Sequence, residues 1–160
     1  MSQRVVGIAE LQVSADPSET LVAYSLGSCM GIAIYDPEVR VGGMLHFILP
    51  DSSMDPQKAS AKPAMFADTG IPRLFKEAHA LGLRKWRARV VVAGAAQILD
   101  QSGYFNIGRR NWAMVRKILW RNNVLIDAED VGGRLNRTLF LEIETGRTWL
   151  KTAGVQRWEL

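Results

Sequence analysis

The chain has 160 residues, 48% hydrophobic and 22% charged, with a net charge of +4. This is an ordinary globular composition in a length suited to one domain over residues 1–160, and it excludes collagenous, low-complexity and disulfide-framework classes. No apolar run approaches the roughly 20 residues that span a bilayer. The first residues carry no secretory pattern, and a lone cysteine forms no internal disulfide, so a cytoplasmic protein without membrane insertion is expected.

In chain order, residues 5–13 read as a first strand, rich in β-branched side chains and partly alternating. A turn at 15–18 leads to a short second strand at 20–24, then to Leu26-Gly27-Ser28-Cys29. Residues 30–35 and 40–46 read as a hairpin closed by a loop at 36–39. The polar stretch 51–63 reads as a long loop that could act as a flap. A helix is predicted over 64–82, restarting near Pro72, with His79 on its surface. Residues 90–95 form a buried strand and 108–123 a second helix, whose polar side carries Arg109, Arg110, Arg116, Lys117 and Arg121. Strands at 124–131, 137–143 and 147–151 close the chain. Hairpins at both ends and helices between them predict an α+β fold, a mixed, largely antiparallel sheet system with two main helices.

The chemistry centres on the one cysteine, Cys29, and one of the two histidines, His46. A four-residue loop at 36–39 would oppose them directly across the hairpin, with Cβ atoms roughly 4.5–5.5 Å apart. An adjacent imidazole would lower the thiol pKa by ion pairing and then protonate a leaving group. Gly27 would permit a tight bend that points the amides of Ser28 and Cys29 at a developing oxyanion. These are the parts of acyl transfer through a thioester, with amidase, protease, esterase and thioesterase left open. No cysteine or histidine cluster has metal-site spacing, so neither metal nor cofactor is expected. Residues 1–80 carry a net −3 and residues 81–160 a net +7. That asymmetry suits an acidic partner, and no nucleic-acid motif accompanies it.

Leu26-Gly-Ser-Cys29, Tyr35-Asp-Pro37, Gly42-Gly-Met-Leu-His46 and Leu49-Pro50 resemble the CheD family of chemoreceptor glutamine deamidases. Later stretches agree in order: Ala93-Gly-Ala95, Ile107-Gly-Arg-Arg-Asn111, Asp127 to Gly133, Arg137 and Thr145-Gly146. The resemblance implies a three-layer α/β sandwich related to deamidating toxins. It implies hydrolysis of selected glutamine side chains on methyl-accepting chemotaxis receptors to glutamate, with release of ammonia. By position, Cys29 would be the nucleophile and His46 the base and acid. A CheC-type phosphatase is the implied regulatory partner. The family commonly has a threonine where this chain has Ala23, so Ser25 and Thr20 are candidates for a third catalytic group. Ala93 likewise stands where a glycine is usual. The competing expectation is a catalytically weak binding module that docks on receptors or on the phosphatase; a thiol hydrolase of other substrates is a third.

Overall fold

The computed structural model describes residues 2–97, 106–152 and 157–160. Strand β4, Met30–Asp36, is buried along its whole length, and this decides the architecture. A strand with a solvated face alternates apolar and polar side chains, whereas one covered on both faces reads as a continuous apolar run. Gly31, Ala33 and Tyr35 of β4 turn to one side; Met30, Ile32 and Ile34 turn to the other.

β4 lies at the centre of a sheet ordered β2-β5-β4-β6-β7, formed by Glu10–Ser14, Val41–Phe47 and Arg89–Gly94 for β2, β5 and β6, and Ala128–Val131 for β7. A second sheet, β1-β3-β8-β9-β10, comprises Ser2–Val5, Glu19–Leu26, Arg137–Glu142, Thr148–Thr152 and Arg157–Glu159. Only the β1–β3 and β6–β7 pairings are parallel among those described. Leu21, Ala23 and Leu26 of β3, with Leu139 and Leu141 of β8, pack against Ala33, Met44, Val91 and Ala93 to make the layer between the sheets.

The other face of the β4 sheet is covered by two helices, α2 (Ala67–Ala80) and α3 (Ile107–Arg121). Ile71, Leu74 and Ala78 of α2 and Val115 and Leu119 of α3 share one core with Ile32, Leu45 and Val92. The result is α+β with three layers, sheet on sheet on helices. No helix among the described residues is long and apolar enough to cross a membrane.

Three local differences from the sequence expectation have physical causes. The strand expected at 5–13 is two strands in different sheets. Ala9, at φ 61°, turns the corner, and Glu10 accepts a hydrogen bond from the Gly7 amide at 2.8 Å. The stretch 51–63 is not a bare loop: Asp51 and Asp55 cap two short helical segments, the second being α1, Pro56–Ala61. The hairpin loop lies one residue later than predicted. Fully buried Asp36 stays in the strand because it accepts from the Glu38 and Arg84 amides and pairs with Arg87 at 2.8 Å. Arg40 takes the left-handed turn position, at φ 53°. Tyr35 therefore pairs with Gly42 rather than Arg40, and Gly31, not Cys29, pairs with His46.

Candidate active site

Cys29 is the last residue of a bend that joins β3 to β4, and its thiol is half-buried. The bend is held through its carbonyls. Those of Gly27 and Cys29 accept from the amides of Ala96 and Ala95 at 2.8 and 3.0 Å. That of Ser28 accepts from Asn111 Nδ2 at 2.9 Å. All three carbonyls of the bend are thus bonded, which fixes the direction of its amides. The Cys29 amide lies against its own sulfur.

The supporting residues come from β6, α3 and β8. Asn111 is fully buried, and the same Nδ2 also donates to the Ile48 carbonyl at 2.9 Å, so one amide group ties the cysteine bend to the end of β5. Gly94 adopts φ +114°, and a Cβ there would overlap the Cys29 carbonyl. Gly108, in the first turn of α3, lets that helix press on the same corner: a Cβ would sit 2.7 Å from the carbonyl oxygens of Ala95 and Ala96. Arg137, also buried, donates to the Gly94 carbonyl at 3.2 Å and the Gly132 carbonyl at 2.9 Å, and pairs with Asp130 at 2.8 Å.

His46 lies near the end of β5, between Glu10 of β2 and Gly31 of β4, and is 2% exposed. Its Nδ1 is 3.3 Å from the Val6 carbonyl oxygen, which only accepts, so the proton resides on Nδ1. Nε2 is buried without a hydrogen-bond partner among the described residues. An unpartnered buried acceptor costs about 1–3 kcal/mol and calls for a reason. Burial pulls the imidazole pKa below its ordinary value, against smaller upward effects from the Val6 carbonyl and the Glu10 carboxylate. Burial also pushes the Cys29 thiol up, its own amide opposing weakly. This reverses the expected thiolate–imidazolium pair: both groups rest neutral at pH 7. Moving the loop by one residue shifts each cross-strand partner by two and so preserves parity, and Cys29 and His46 still relate to the layer between the sheets. The relation is diagonal rather than direct, a step of roughly 7–8 Å on a regular ladder.

The remaining predicted site residues are dispersed. Gly27 does not use glycine's freedom: its Cβ position is open and its φ is not positive. The left-handed residue is Ser25, at φ 57°, in an irregularity of the β3–β8 pairing. Ser25 lines the outer face of its sheet with Tyr24 and Thr138, away from the layer that Cys29 packs against. Thr20 alternates with inward-facing Leu21 and so also faces outward. Ala23 faces inward, fully buried, in the cluster against which Cys29 packs, and contributes no hydroxyl. His79 is in the last turn of α2.

Sequence reasoning gave no role to Asn111, although a signal was present. It occupies the buried stripe of α3 with Val115 and Leu119, at i, i+4 and i+8, where an apolar residue is the default.

The fold and site define a three-layer α+β protein with a braced cysteine bend and an imidazole held neutral between its sheets. Residues 48–152 match the family model CheD, described as CheD chemotactic sensory transduction. The match starts just beyond His46, so it rests on the helices and later strands. Similar chains cover the cysteine block as well. A probable chemoreceptor glutamine deamidase CheD 1 of Syntrophus aciditrophicus is 52% identical over 96% of both chains. A probable chemoreceptor glutamine deamidase CheD of Solibacter usitatus is 45% identical over 98% of this chain and 93% of its own. A crystal structure of a Neisseria meningitidis protein of the DUF152 family model aligns with TM-score 0.44 and 9% identity over 81% of this chain and 62% of its own. The chain belongs to the CheD family.

Proposed function

We propose that this protein is a cysteine-dependent protein-glutamine deamidase acting on chemoreceptors, within a single catalytic domain. The observation that carries the mechanism is the state of His46: proton on Nδ1, and on a buried Nε2 a lone pair that no described residue engages. That is the tautomer a general base needs. The names of the full-length relatives supply the substrate.

In this reading the thiol stays protonated until a glutamine carboxamide enters and draws sulfur and imidazole together. His46 Nε2 takes the thiol proton as Sγ attacks the carboxamide carbon. The amides of Ser28 and Cys29, on a bend whose carbonyls are already bonded, receive the developing oxyanion. His46 returns the proton to the departing nitrogen, the C–N bond breaks, and ammonia leaves a γ-glutamyl thioester. Water then loses a proton to His46 as it attacks the thioester, the C–S bond breaks, and sulfur takes that proton back. The net change is amide plus water to carboxylate plus ammonium. Ser25 and Thr20 take no part, because both face the wrong side of their sheet.

A cytoplasmic setting suits this substrate, and a CheC-type phosphatase as regulator follows from the family resemblance alone. The decisive experiment is ammonia release from a purified cytoplasmic receptor fragment, with mass spectrometry of the fragment. The expected gain is about one dalton per converted glutamine, abolished in Cys29→Ala with an unchanged circular dichroism spectrum. An unchanged rate in that variant refutes the thiol mechanism. Receptor or phosphatase binding by the wild-type chain without any mass shift would favour the docking-module reading, which buried Ala23, carrying no hydroxyl, makes specific.

A further inference from the structure

Helix α3 does more than brace the cysteine bend. Its sequence, Ile107 to Arg121, contains five basic side chains and no acidic one. Arg109, Arg110, Arg116, Lys117 and Arg121 are all exposed, on the face turned away from the core. Asp51 acts electrostatically on Arg110 and Lys117, but one carboxylate does not balance five cations. The stripe lies on the face of α3 opposite Asn111, which holds the bend, and ends at a groove.

That groove has a volume of about 440 Å³. Its floor is apolar, made by Leu119, Val124 and Ile126, and Arg116 and Lys117 lie on its wall. Its lips are Trp120 and Leu125, 79% and 82% exposed. Neither lip residue supports the core, so their exposure has no folding rationale. Large apolar side chains at the rim of an apolar groove mark a surface for association. Cations alone would read as a solvated face; cations running into an apolar groove read as a track for an amphipathic partner.

We infer that α3 and the Trp120–Leu125 groove form a docking track for an acidic, amphipathic helical segment of the protein substrate. This rests on the deamidase reading and adds the means of substrate selection. Trp120 lies nine residues beyond Asn111, about 13 Å along the axis and half a turn round it, so the groove is on the outer face of the helix whose inner face braces the bend. A substrate helix laid along this outer face sets its apolar anchor in the groove, remote from the glutamine that Cys29 attacks. Acidic side chains of that helix meet Arg116 and Lys117 on the groove wall. Docking of this kind supplies affinity remote from the reacting bond, so it governs capture rather than the chemical step.

The test uses the full chain with two substrates, a purified receptor cytoplasmic fragment and a five-residue peptide containing one glutamine, too short to reach the groove. Trp120→Ala and the double variant Arg116→Glu/Lys117→Glu each raise KM for the fragment about tenfold, a typical anchor loss, with kcat retained. Ammonia release from the short peptide stays at the wild-type rate. Binding of labelled fragment to the same groove variants, built on Cys29→Ala, reads docking without turnover and falls by the same factor. Unchanged fragment binding in both groove variants overturns the track, whatever the activity. A groove that instead governs co-sedimentation with anionic phosphatidylglycerol vesicles, and not fragment binding, also overturns it. Wild-type protein that binds the fragment through the groove but releases no ammonia defeats the deamidase reading and leaves the docking track standing.

Discussion

Asn111→Leu removes the donor that ties two backbone carbonyls while keeping the branched shape of the side chain. In the native chain Nδ2 serves Ser28 and Ile48 at 2.9 Å each, and Asn111 is fully buried. Leucine leaves both carbonyls without this donor, at about 1–3 kcal/mol each. The side-chain oxygen, Oδ1, is without a partner among the described residues, so deleting it returns part of that cost. The net destabilisation is about 2–4 kcal/mol, or roughly 5–15 °C in Tm for a chain of this size. Urea unfolding at constant m-value measures it. Because the bend carries the sulfur and, in the proposed mechanism, the oxyanion donors, kcat for ammonia release should fall by more than tenfold at a temperature where the variant is still folded. Asn111→Asp should be worse, since a carboxylate oxygen would face carbonyl oxygens. An unfolding midpoint within about 0.5 kcal/mol of wild type would refute the claim that this one amide staples the bend.

Gly94→Ala meets both a disfavoured φ of +114° and the Cys29 carbonyl, so it should destabilise by about 3 kcal/mol or more and suppress deamidation. Wild-type activity and Tm in that variant would show the corner is more pliable than described. The lowered folded-state pKa of His46 has a definite sign in a pH series. The unfolded chain takes up the proton near pH 6.5 while the folded chain resists, so stability present above about pH 6.5 is lost as pH falls from there towards the folded-state pKa. Urea midpoints at pH 7.5 and 5.5 should therefore differ more for wild type than for His46→Gln; equal differences would contradict the burial argument.

Local pattern carried much of the fold. The apolar run of β4, the stripes of the two helices and the turn residues at Asp16-Pro17 and Thr145-Gly146 each reflect short-range physics, and they suffice for α+β with largely antiparallel sheets. Cys29 and His46 were legible as a candidate pair because the chain offers one thiol and few imidazoles. Their exact relation was not. It turns on where the hairpin loop closes, and that depends on buried Asp36 finding Arg84 and Arg87 far along the chain.

The same limit applies to the rest of the site. A sequence states that Asn111, Gly94, Gly108 and Arg137 are present, but only three-dimensional packing makes them converge on one bend. Whether a thiol and an imidazole rest charged or neutral is likewise decided by desolvation, a property of what surrounds them and not of their spacing. Residue order fixed which groups were available; burial fixed the protonation states in which they wait.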